Sequence, residues 1–223
     1  MLKQPKAFLF DLNGTMINDM NYHIDGWLEL LNTQLNAGMT RDEVKQQMYG
    51  KNSEVLTRIF GENHFTIQEM DRLSIEKEKA YQAVYKTHLA LVPGLSWFLQ
   101  KSSDAGILMA IGSAAIPFNI DFVLDNLHIR HYFKAIVSAD DVKLSKPNPE
   151  TYTRAAALLG TAPGDCVVFE DAPKGAEAAF RASMSCIVLT TMHTAEEFSL
   201  YPNILHFIAD YNDPFLGSFL PAD

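Results

Sequence analysis

The sequence has little cysteine, few basic residues and no long apolar run, and each shortage excludes a class of protein. Cys166 and Cys186 lie in separate apolar stretches without a CxxC or Cys/His ligand spacing, which favours buried free thiols in a reducing compartment, the cytoplasm. The 18 Lys and Arg against 27 Asp and Glu give a net charge of −9, which repels nucleic acids and anionic lipids. No apolar run approaches the roughly 20 residues of a membrane helix, and Asp11 interrupts the N-terminal one. Neither a secretory signal nor a membrane anchor is therefore expected.

The length and composition predict a folded globular protein. The 223 residues are 48% hydrophobic and 20% charged, which is enough apolar surface to build a sizeable core. This composition excludes disordered, collagen-like and coiled-coil chains, and the length corresponds to one large or two small domains.

Short apolar runs alternate with stretches of helical periodicity through most of the chain. The predicted strands are 6–12, 107–111, 135–137, 166–169 and 185–189. The predicted helices are 95–105, 118–127, 149–159 and 173–182. Because strands that alternate with helices form βαβ units, the pattern predicts an α/β fold with a doubly wound parallel sheet.

One segment interrupts this alternation. Residues 18–90 are helix-like throughout, contain no β-rich run and are punctuated only at Gly38, Gly50 and Gly61. Pro93-Gly94 then favours a turn that returns the chain to the sheet. The sequence therefore predicts an all-helical domain at 18–90, inserted into an α/β core formed by 1–17 and 91–223.

Polar residues with complementary chemistry stand at the ends of the predicted strands or in the loops that follow. They are Asp11, Ser113, Lys146, Glu170 and Asp171. Open α/β sheets bind their ligands at the carboxyl ends of the strands, so these side chains are expected to converge. Carboxylates can hold a hard divalent cation, whereas a hydroxyl and an ammonium can bind phosphoryl oxygens.

These residues belong to four short motifs that follow one another in a fixed order. The motifs are Asp11-Leu-Asn13-Gly14-Thr15, the Ser113 loop, Lys146-Pro147 with Pro149-Glu150, and Phe169-Glu170-Asp171-Ala172-Pro173-Lys174-Gly175. Together they resemble the haloacid dehalogenase (HAD) superfamily of phosphohydrolases, specifically its β-phosphoglucomutase-like branch. The resemblance covers almost the whole chain. It implies a Rossmann-like core with an inserted helical cap of the C1 type.

The resemblance also implies a role for each motif residue. Asp11 would be the nucleophile that takes the phosphoryl group as an aspartyl-phosphate. Ser113 and Lys146 would stabilise charge on the phosphoryl oxygens. The implied Mg²⁺ ligands are Asp11, Asn13 through its backbone carbonyl, Asp171 and Glu170 with waters.

The chain departs from the family at Asn13, where phosphatases and mutases carry an Asp that acts as general acid and base. An amide can still donate and accept hydrogen bonds, but it cannot transfer a proton in this way, so turnover is expected to fall about 10²–10⁴-fold. Three explanations are open: an engineered substitution, a surrogate acid/base for which His23 is the candidate, or a protein that binds phosphorylated ligands without turning them over.

The resemblance assigns substrate recognition to residues of the predicted cap and to one residue of the Ser113 loop. The full implied substrate-binding set is His23, Trp27, Gly50, Lys51, Asn52, Lys77 and Ala114. Ser53 stands where the mutase has an arginine that grips the distal phosphate, which favours hydrolysis over phosphoryl migration.

Structural explanations compete with this assignment. His23 and Trp27 are spaced i, i+4, as in a packed pair, and Lys77 lies within the charged run Glu76–Lys79, which is typical of a solvated helix face.

Two functions follow from the sequence. The first is Mg²⁺-dependent phosphoryl transfer on a small phosphorylated metabolite, with a sugar phosphate favoured and either a phosphatase or a mutase reaction. The second is a catalytically impaired protein that binds a phosphorylated ligand. Either is expected to be a monomer without a nucleic-acid or membrane partner.

Overall fold

A computed structural model describes residues 4–220; residues 1–3 and 221–223, which the domain prediction also covers, lie outside it. The chain divides into two compact units. The first, the core unit, comprises the residues up to Asn18 and those from Ala90 onwards, and the second, the helical unit, comprises Asp19–Leu89. The predicted boundaries differ from these by one residue at each junction.

The core unit is built on a six-stranded sheet in which every neighbouring pair of strands is parallel. The strands are β1 (Ala7–Phe10), β2 (Leu108–Gly112), β3 (Ala135–Val137), β4 (Cys166–Glu170), β5 (Ser185–Leu189) and β6 (Ile204–Ile208), in the spatial order β3-β2-β1-β4-β5-β6. The predicted doubly wound α/β fold is confirmed. In this order the direction of winding reverses between β1 and β4, which is where sheets of this type place their ligands.

Eight α-helices lie within residues 4–220. The helical unit contains α1 (Met20–Glu29), α2 (Arg41–Gln47), α3 (Asn52–Phe60) and α4 (Ile67–Tyr85), with a π-helical turn at Leu30–Gln34. The core unit contains α5 (Leu95–Asp104), α6 (Pro117–Asn126), α7 (Glu150–Leu158) and α8 (Pro173–Arg181). Gly38, Gly50 and Gly61 lie outside the α-helices and have positive φ, whereas Gly26 lies within α1.

Threonine caps explain where two helices of the helical unit begin. The Thr40 and Thr66 hydroxyls accept the N–H groups of Glu43 and Glu69, whose carboxylates accept the N–H groups of the two threonines in return. These reciprocal bonds satisfy N–H groups that the first helical turn would otherwise leave unpaired.

The two faces of the sheet bury different side chains. Phe8 and Phe10 pack against an aromatic cluster that includes Phe98, Phe169 and Tyr211. The opposite face buries Ala7 and Leu9 with the small residues of α7 and α8. Since successive strand residues point to opposite faces, this explains why β1 is apolar at every position.

The sequence prediction missed β6. Its segment, Ile204–Ile208, is apolar except for His206, but it pairs only with β5, through a register shift at Cys186 and Ile187. As an edge strand it is mostly half-buried, so it lacks the strongly buried pattern of β1 and β4.

The structure bears on two expectations from the composition, which concern the cysteines and membrane-spanning helices. Both cysteines are free and buried, as predicted, and burial raises the pKa of each thiol. Within residues 4–220 no helix combines the length and the apolar composition that crossing a bilayer requires.

Candidate active site

Asp11 lies at the carboxyl end of the central strand β1. Phe10 is in register with Ile111 of β2 and with Phe169 of β4, and the Asp11 N–H donates to the Phe169 carbonyl at 2.9 Å. The carboxyl group is therefore carried by a backbone held on both sides by neighbouring strands. It is also largely buried, with 8% of the residue exposed.

Lys146 joins two of the predicted carboxylates. Its Nζ donates to Asp11 Oδ1 at 2.5 Å and to Glu170 Oε1 at 2.7 Å, and it lies 4.7 Å from the centre of the Tyr152 ring. Burial lowers the pKa of Lys146, but the charges of Asp11 and Glu170 outweigh burial and hold that pKa above its ordinary value. The ammonium therefore stays charged and balances the two carboxylates.

Both oxygens of the Glu170 carboxylate are committed to hydrogen bonds. Oε1 accepts from Lys146 and from the Tyr152 hydroxyl, the latter at 2.9 Å, and Oε2 accepts the N–H groups of Asp171 and Ala172, each at 2.9 Å. A carboxylate has about four lone-pair positions, and four donors occupy them here. Glu170 is therefore arranged to orient Lys146 and the loop after β4.

Two glycines of the motifs, Gly14 and Gly175, allow the carboxylates of Asp171 and Glu170 to lie close to the backbone. A Cβ at Gly14, where φ is +76°, would lie 2.0 Å from Asp171 Oδ2. A Cβ at Gly175 would lie 1.7 Å from Glu170 Oε1. Both distances are far below a van der Waals contact, so any side chain would displace the carboxyl groups.

Asp171 lies against the loop that follows β1. The Thr15 hydroxyl donates to Asp171 Oδ1 at 3.4 Å, and the Thr191 hydroxyl donates to the Gly14 carbonyl at 2.6 Å. Asn13 is half-buried in the same loop, two residues after Asp11, and its backbone bridges to Ile17. The structure thus places the first and last motifs of the sequence next to each other.

The negative charge of this site affects two buried tyrosines that the sequence prediction did not single out. Burial, Glu170 and Asp11 raise the pKa of Tyr152, and burial, Asp11 and Asp171 raise the pKa of Tyr211. Tyr152 follows the Lys146 motif closely, whereas no nearby motif marks Tyr211.

Ser113 follows β2, the strand beside β1. Its N–H donates to the Val137 carbonyl at 2.9 Å, and its Oγ accepts the N–H of Ala115 at 3.1 Å. Ser113 is buried and Ala114 is half-buried. Both lie in a loop at the same edge of the sheet as Asp11.

The helical unit contains a second buried polar cluster, formed by Asp19, His23, Lys77, Glu78 and Tyr81. Lys77 Nζ lies 2.7 Å from His23 Nδ1 and 2.9 Å from Glu78 Oε1. Asp19 Oδ2 lies 3.2 Å from His23 Nε2 and accepts the Tyr81 hydroxyl at 2.6 Å. All five residues are buried, which shows that the solvated-face interpretation of Lys77 was wrong.

Two of the other predicted residues of this unit contact the cluster, and two precede a helix. Trp27 is buried, and its ring centre lies 5.3 Å from Lys77 Nζ. The Asn52 amide donates to Glu78 Oε1 at 2.7 Å. Gly50 and Lys51 precede α3, where the Lys51 N–H donates to Glu54 Oε2 at 3.0 Å. Asp19, Glu78 and Tyr81 were not predicted as site residues.

Comparison of the sequence with known proteins shows the family to which the chain belongs. Residues 8–189 match the family model described as "Haloacid dehalogenase-like hydrolase". The chain belongs to this family. As a member it is an enzyme with phosphohydrolase or phosphomutase activity, as its motifs predicted.

Named relatives in this family include both reaction types. The chain is 31% identical over 189 residues to the β-phosphoglucomutase of Bacillus subtilis, covering 82% of each chain. It is 30% identical over 191 residues to the fructose-1-phosphate phosphatase of Escherichia coli, covering 84% of this chain and 97% of the relative. The crystal structure of a Clostridium difficile β-phosphoglucomutase shares the fold, with a TM-score of 0.81, 24% identity and coverage of 93% and 92%.

Proposed function

We propose that this HAD-family enzyme is a phosphatase that hydrolyses a small sugar phosphate through an aspartyl-phosphate on Asp11. The observation that carries the proposal is the Lys146 ammonium, buried between Asp11 and Glu170 at the ends of β1 and β4. This position combines a nucleophile with a fixed cation for the phosphoryl oxygens. The sugar phosphatase and phosphomutase among the relatives support the substrate class.

The reaction proceeds in two displacements at phosphorus. An oxygen of Asp11 forms a bond to phosphorus while the bond from phosphorus to the sugar oxygen breaks, and the departing oxygen takes a proton from water. A second water then attacks phosphorus and gives up a proton to the solvent while the bond from phosphorus to Asp11 breaks, which releases inorganic phosphate and restores the carboxylate. Lys146, with Ser113 from the neighbouring loop, stabilises the charge on the phosphoryl oxygens.

The donors around Asp11 fit a magnesium ion. Magnesium in phosphoryl-transfer sites takes one or two carboxylates and keeps several waters. Asp11 and Asp171, with the Asn13 carbonyl, would supply such a set, and both carboxylates act on Tyr211. Within residues 4–220 no group of three or more His, Cys, Asp or Glu side chains is arranged for a metal. Bound Mg²⁺ would neutralise charge on the phosphoryl group.

Glu170, expected to contribute to this site with waters, is placed here in a positioning role. Because Glu170 already accepts four hydrogen bonds, the carboxylates that would bind Mg²⁺ directly are those of Asp11 and Asp171. Through Lys146 and the loop of Asp171 it still determines where both groups lie.

The surrounding contacts do not favour His23 as the surrogate for an acid at position 13. An ammonium can only donate, so Nδ1 of His23 accepts from Lys77 and the ring proton is on Nε2, which faces Asp19. Both ring nitrogens therefore have partners within the helical unit, and His23 serves as a link between Lys77 and Asp19.

Asn13 favours a second candidate, a protein that binds sugar phosphates without turnover. Both candidates keep the binding site, but only the phosphatase releases phosphate.

The experiment measures phosphate release from sugar phosphates with and without Mg²⁺ by the wild type, Asp11→Asn and Asn13→Asp. We expect slow Mg²⁺-dependent release by the wild type, none by Asp11→Asn, and release about 10²–10⁴-fold faster by Asn13→Asp. Absence of release from the wild type and Asn13→Asp alike would exclude the phosphatase.

A further inference from the structure

Tyr152 is a buried residue of α7 that lies outside the four sequence motifs. Its hydroxyl donates to Glu170 Oε1 at 2.9 Å, and the same oxygen accepts from Lys146 Nζ at 2.7 Å. The centre of its ring lies 4.7 Å from that Nζ. Tyr152 therefore contacts both members of the Lys146–Glu170 ion pair.

The Tyr152 hydroxyl determines how Glu170 shares its negative charge. Each carboxylate oxygen has about two lone-pair positions, and on Oε1 these are occupied by Lys146 and Tyr152. Glu170 is only 1% exposed, so little solvent is present to replace a lost donor. Within the described part of the chain, removal of the hydroxyl would leave Lys146 as the only partner of Oε1. The ammonium would then be drawn towards Glu170 and away from Asp11.

The hydroxyl of Tyr152 is suited to hold a neighbour in place and unsuited to transfer a proton. Burial and the negative charges of Glu170 and Asp11 hold the pKa of Tyr152 well above its ordinary value. The hydroxyl therefore keeps its proton, and this proton is committed to Glu170. Its effect on the site acts through the position of other groups.

Helix α7 holds Tyr152 and the loop before it in fixed positions. A Cβ at Gly112, the last residue of β2, would lie 3.2 Å from Tyr152 Cδ1 and Cε1, so the ring packs directly on the end of this strand. At the start of the helix, Glu150 Oε2 accepts the N–H groups of Lys143 and Leu144 at 3.0 and 3.1 Å. The helix thus fixes the backbone of the loop and, through Tyr152, the end of the buried lysine side chain that the loop carries.

We propose that Tyr152 is a positioning residue for phosphoryl transfer, which holds the Lys146 ammonium at the distance from Asp11 that fits the transferred phosphoryl group. The inference rests on the proposed function. An ammonium has three N–H groups, and among the described residues Asp11 and Glu170 accept two of them, which leaves the third for a phosphoryl oxygen. Because the first two bonds set the direction of the third, a hydroxyl that fixes Glu170 also fixes this donor. A displacement of about 1 Å in such a site can lower the rate about 10²-fold.

The test compares the binding of inorganic phosphate and orthovanadate by isothermal titration calorimetry in the presence of Mg²⁺. Phosphate has the geometry of the product, whereas orthovanadate can adopt the five-coordinate geometry of the phosphoryl group during transfer. Tyr152→Phe removes the hydroxyl and keeps the ring. We expect it to weaken orthovanadate binding about 10–100-fold and phosphate binding no more than about threefold, because the charge of Lys146 is kept and only its position changes.

Tyr201→Phe is the matched control. It also removes a hydroxyl of the core unit that donates to a glutamate, Glu177 Oε2, at 3.4 Å. The control should leave both affinities within about twofold of the wild type. A variant that is merely less stable would contain fewer folded sites, but its folded sites would keep the ratio of the two affinities. In assays of phosphate release, Tyr152→Phe should lower kcat and kcat/KM by the same factor.

A second variant keeps the proposal testable if Tyr152→Phe does not fold. Gly112→Ala keeps the hydroxyl, but its methyl group would press on the Tyr152 ring from 3.2 Å, closer than an ordinary van der Waals contact. It should weaken orthovanadate binding selectively and by a smaller factor.

Three outcomes would contradict the proposal. If the wild type binds orthovanadate and neither folded variant weakens this binding, the inference is overturned and the proposed function stands. Equal losses of phosphate and orthovanadate binding would also overturn the inference, since they would show a general loss of anion binding. If the wild type binds neither anion and releases no phosphate from sugar phosphates, the proposed function fails and the inference fails with it.

Discussion

Lys146 is the residue on which the charge balance of the core site depends. Lys146→Met would preserve much of the side-chain volume but leave Asp11 and Glu170 buried without their shared cation. Breaking a buried ion pair in this way destabilises a protein by about 3–5 kcal/mol. We therefore expect a loss of this size in the free energy of unfolding, measured by urea denaturation at pH 7 without Mg²⁺.

Lys143→Met is the matched control for this experiment. Lys143 is exposed and precedes Lys146 by three residues. Its replacement should change the free energy of unfolding by no more than about 0.5 kcal/mol. Equal stability of the two variants would contradict the assignment of Lys146 as the compensating cation.

The carboxylates of the core site could be predicted because each stands at the end of an apolar run in the sequence. Asp11 ends an apolar run, and the Glu170-Asp171 pair ends another, so the parallel sheet brings them together. Glu78 could not be predicted, because a run of alternating Glu and Lys is typical of a solvated helix. Its burial depends on Asn52 and His23, which are 26 and 55 positions away and reveal nothing in the local pattern.

At the scale of elements, α8 is expected to be sensitive to side-chain size at one position. Gly175→Ala would place a Cβ against the Glu170 carboxylate, which is itself held by Lys146 and Tyr152. Overpacking of this kind costs about 1–3 kcal/mol and would move Glu170 away from Lys146. We expect a lower denaturation midpoint together with a lower kcat for phosphate release.

Gly164→Ala separates this effect from the general consequences of replacing glycine. Gly164 has no atom within 4 Å of an added Cβ, and its φ is not in the left-handed region. The control should keep wild-type kcat. If Gly175→Ala behaved in the same way, the close packing of Glu170 on α8 would be refuted.

The capping box of α4 should make part of the stability dependent on pH. The hydrogen bonds from the Thr66 backbone N–H and the Thr66 hydroxyl lower the pKa of Glu69. Stabilisation from a lowered carboxyl pKa is complete above the unfolded value and is lost as pH falls through the folded value. Glu69→Gln should therefore lower the thermal midpoint at pH 7 and have a smaller effect near pH 3. Parallel differences at both pH values would contradict the charged cap.

The elements themselves were predictable to different degrees. The strands β3 and β5 have the predicted bounds, and β1, β2 and β4 are displaced by two residues or fewer at either end. Burial on both faces makes β1, β4 and β5 continuous apolar runs. The edge strand β3 is mostly half-buried, but its three residues are all apolar. The other edge strand, β6, was missed because the polar His206 interrupts its apolar run.

At the scale of the whole molecule, the insertion leaves and re-enters the core unit at adjacent points. Ile17 and Leu91 form an antiparallel bridge, and the Val92 N–H donates to the Met16 carbonyl at 2.9 Å. Both segments belong to the core unit, so their pairing does not require the intervening chain. A short linker could therefore connect residues 18 and 90 without disturbing β1.

Replacement of residues 19–89 by a flexible Gly/Ser linker tests this organisation. We expect the shortened protein to unfold cooperatively, because the sheet and its aromatic cluster lie within the core unit. Near-ultraviolet circular dichroism and urea denaturation measure its packing and cooperativity. A non-cooperative transition without near-ultraviolet signal would show that the core unit needs the helical unit to fold.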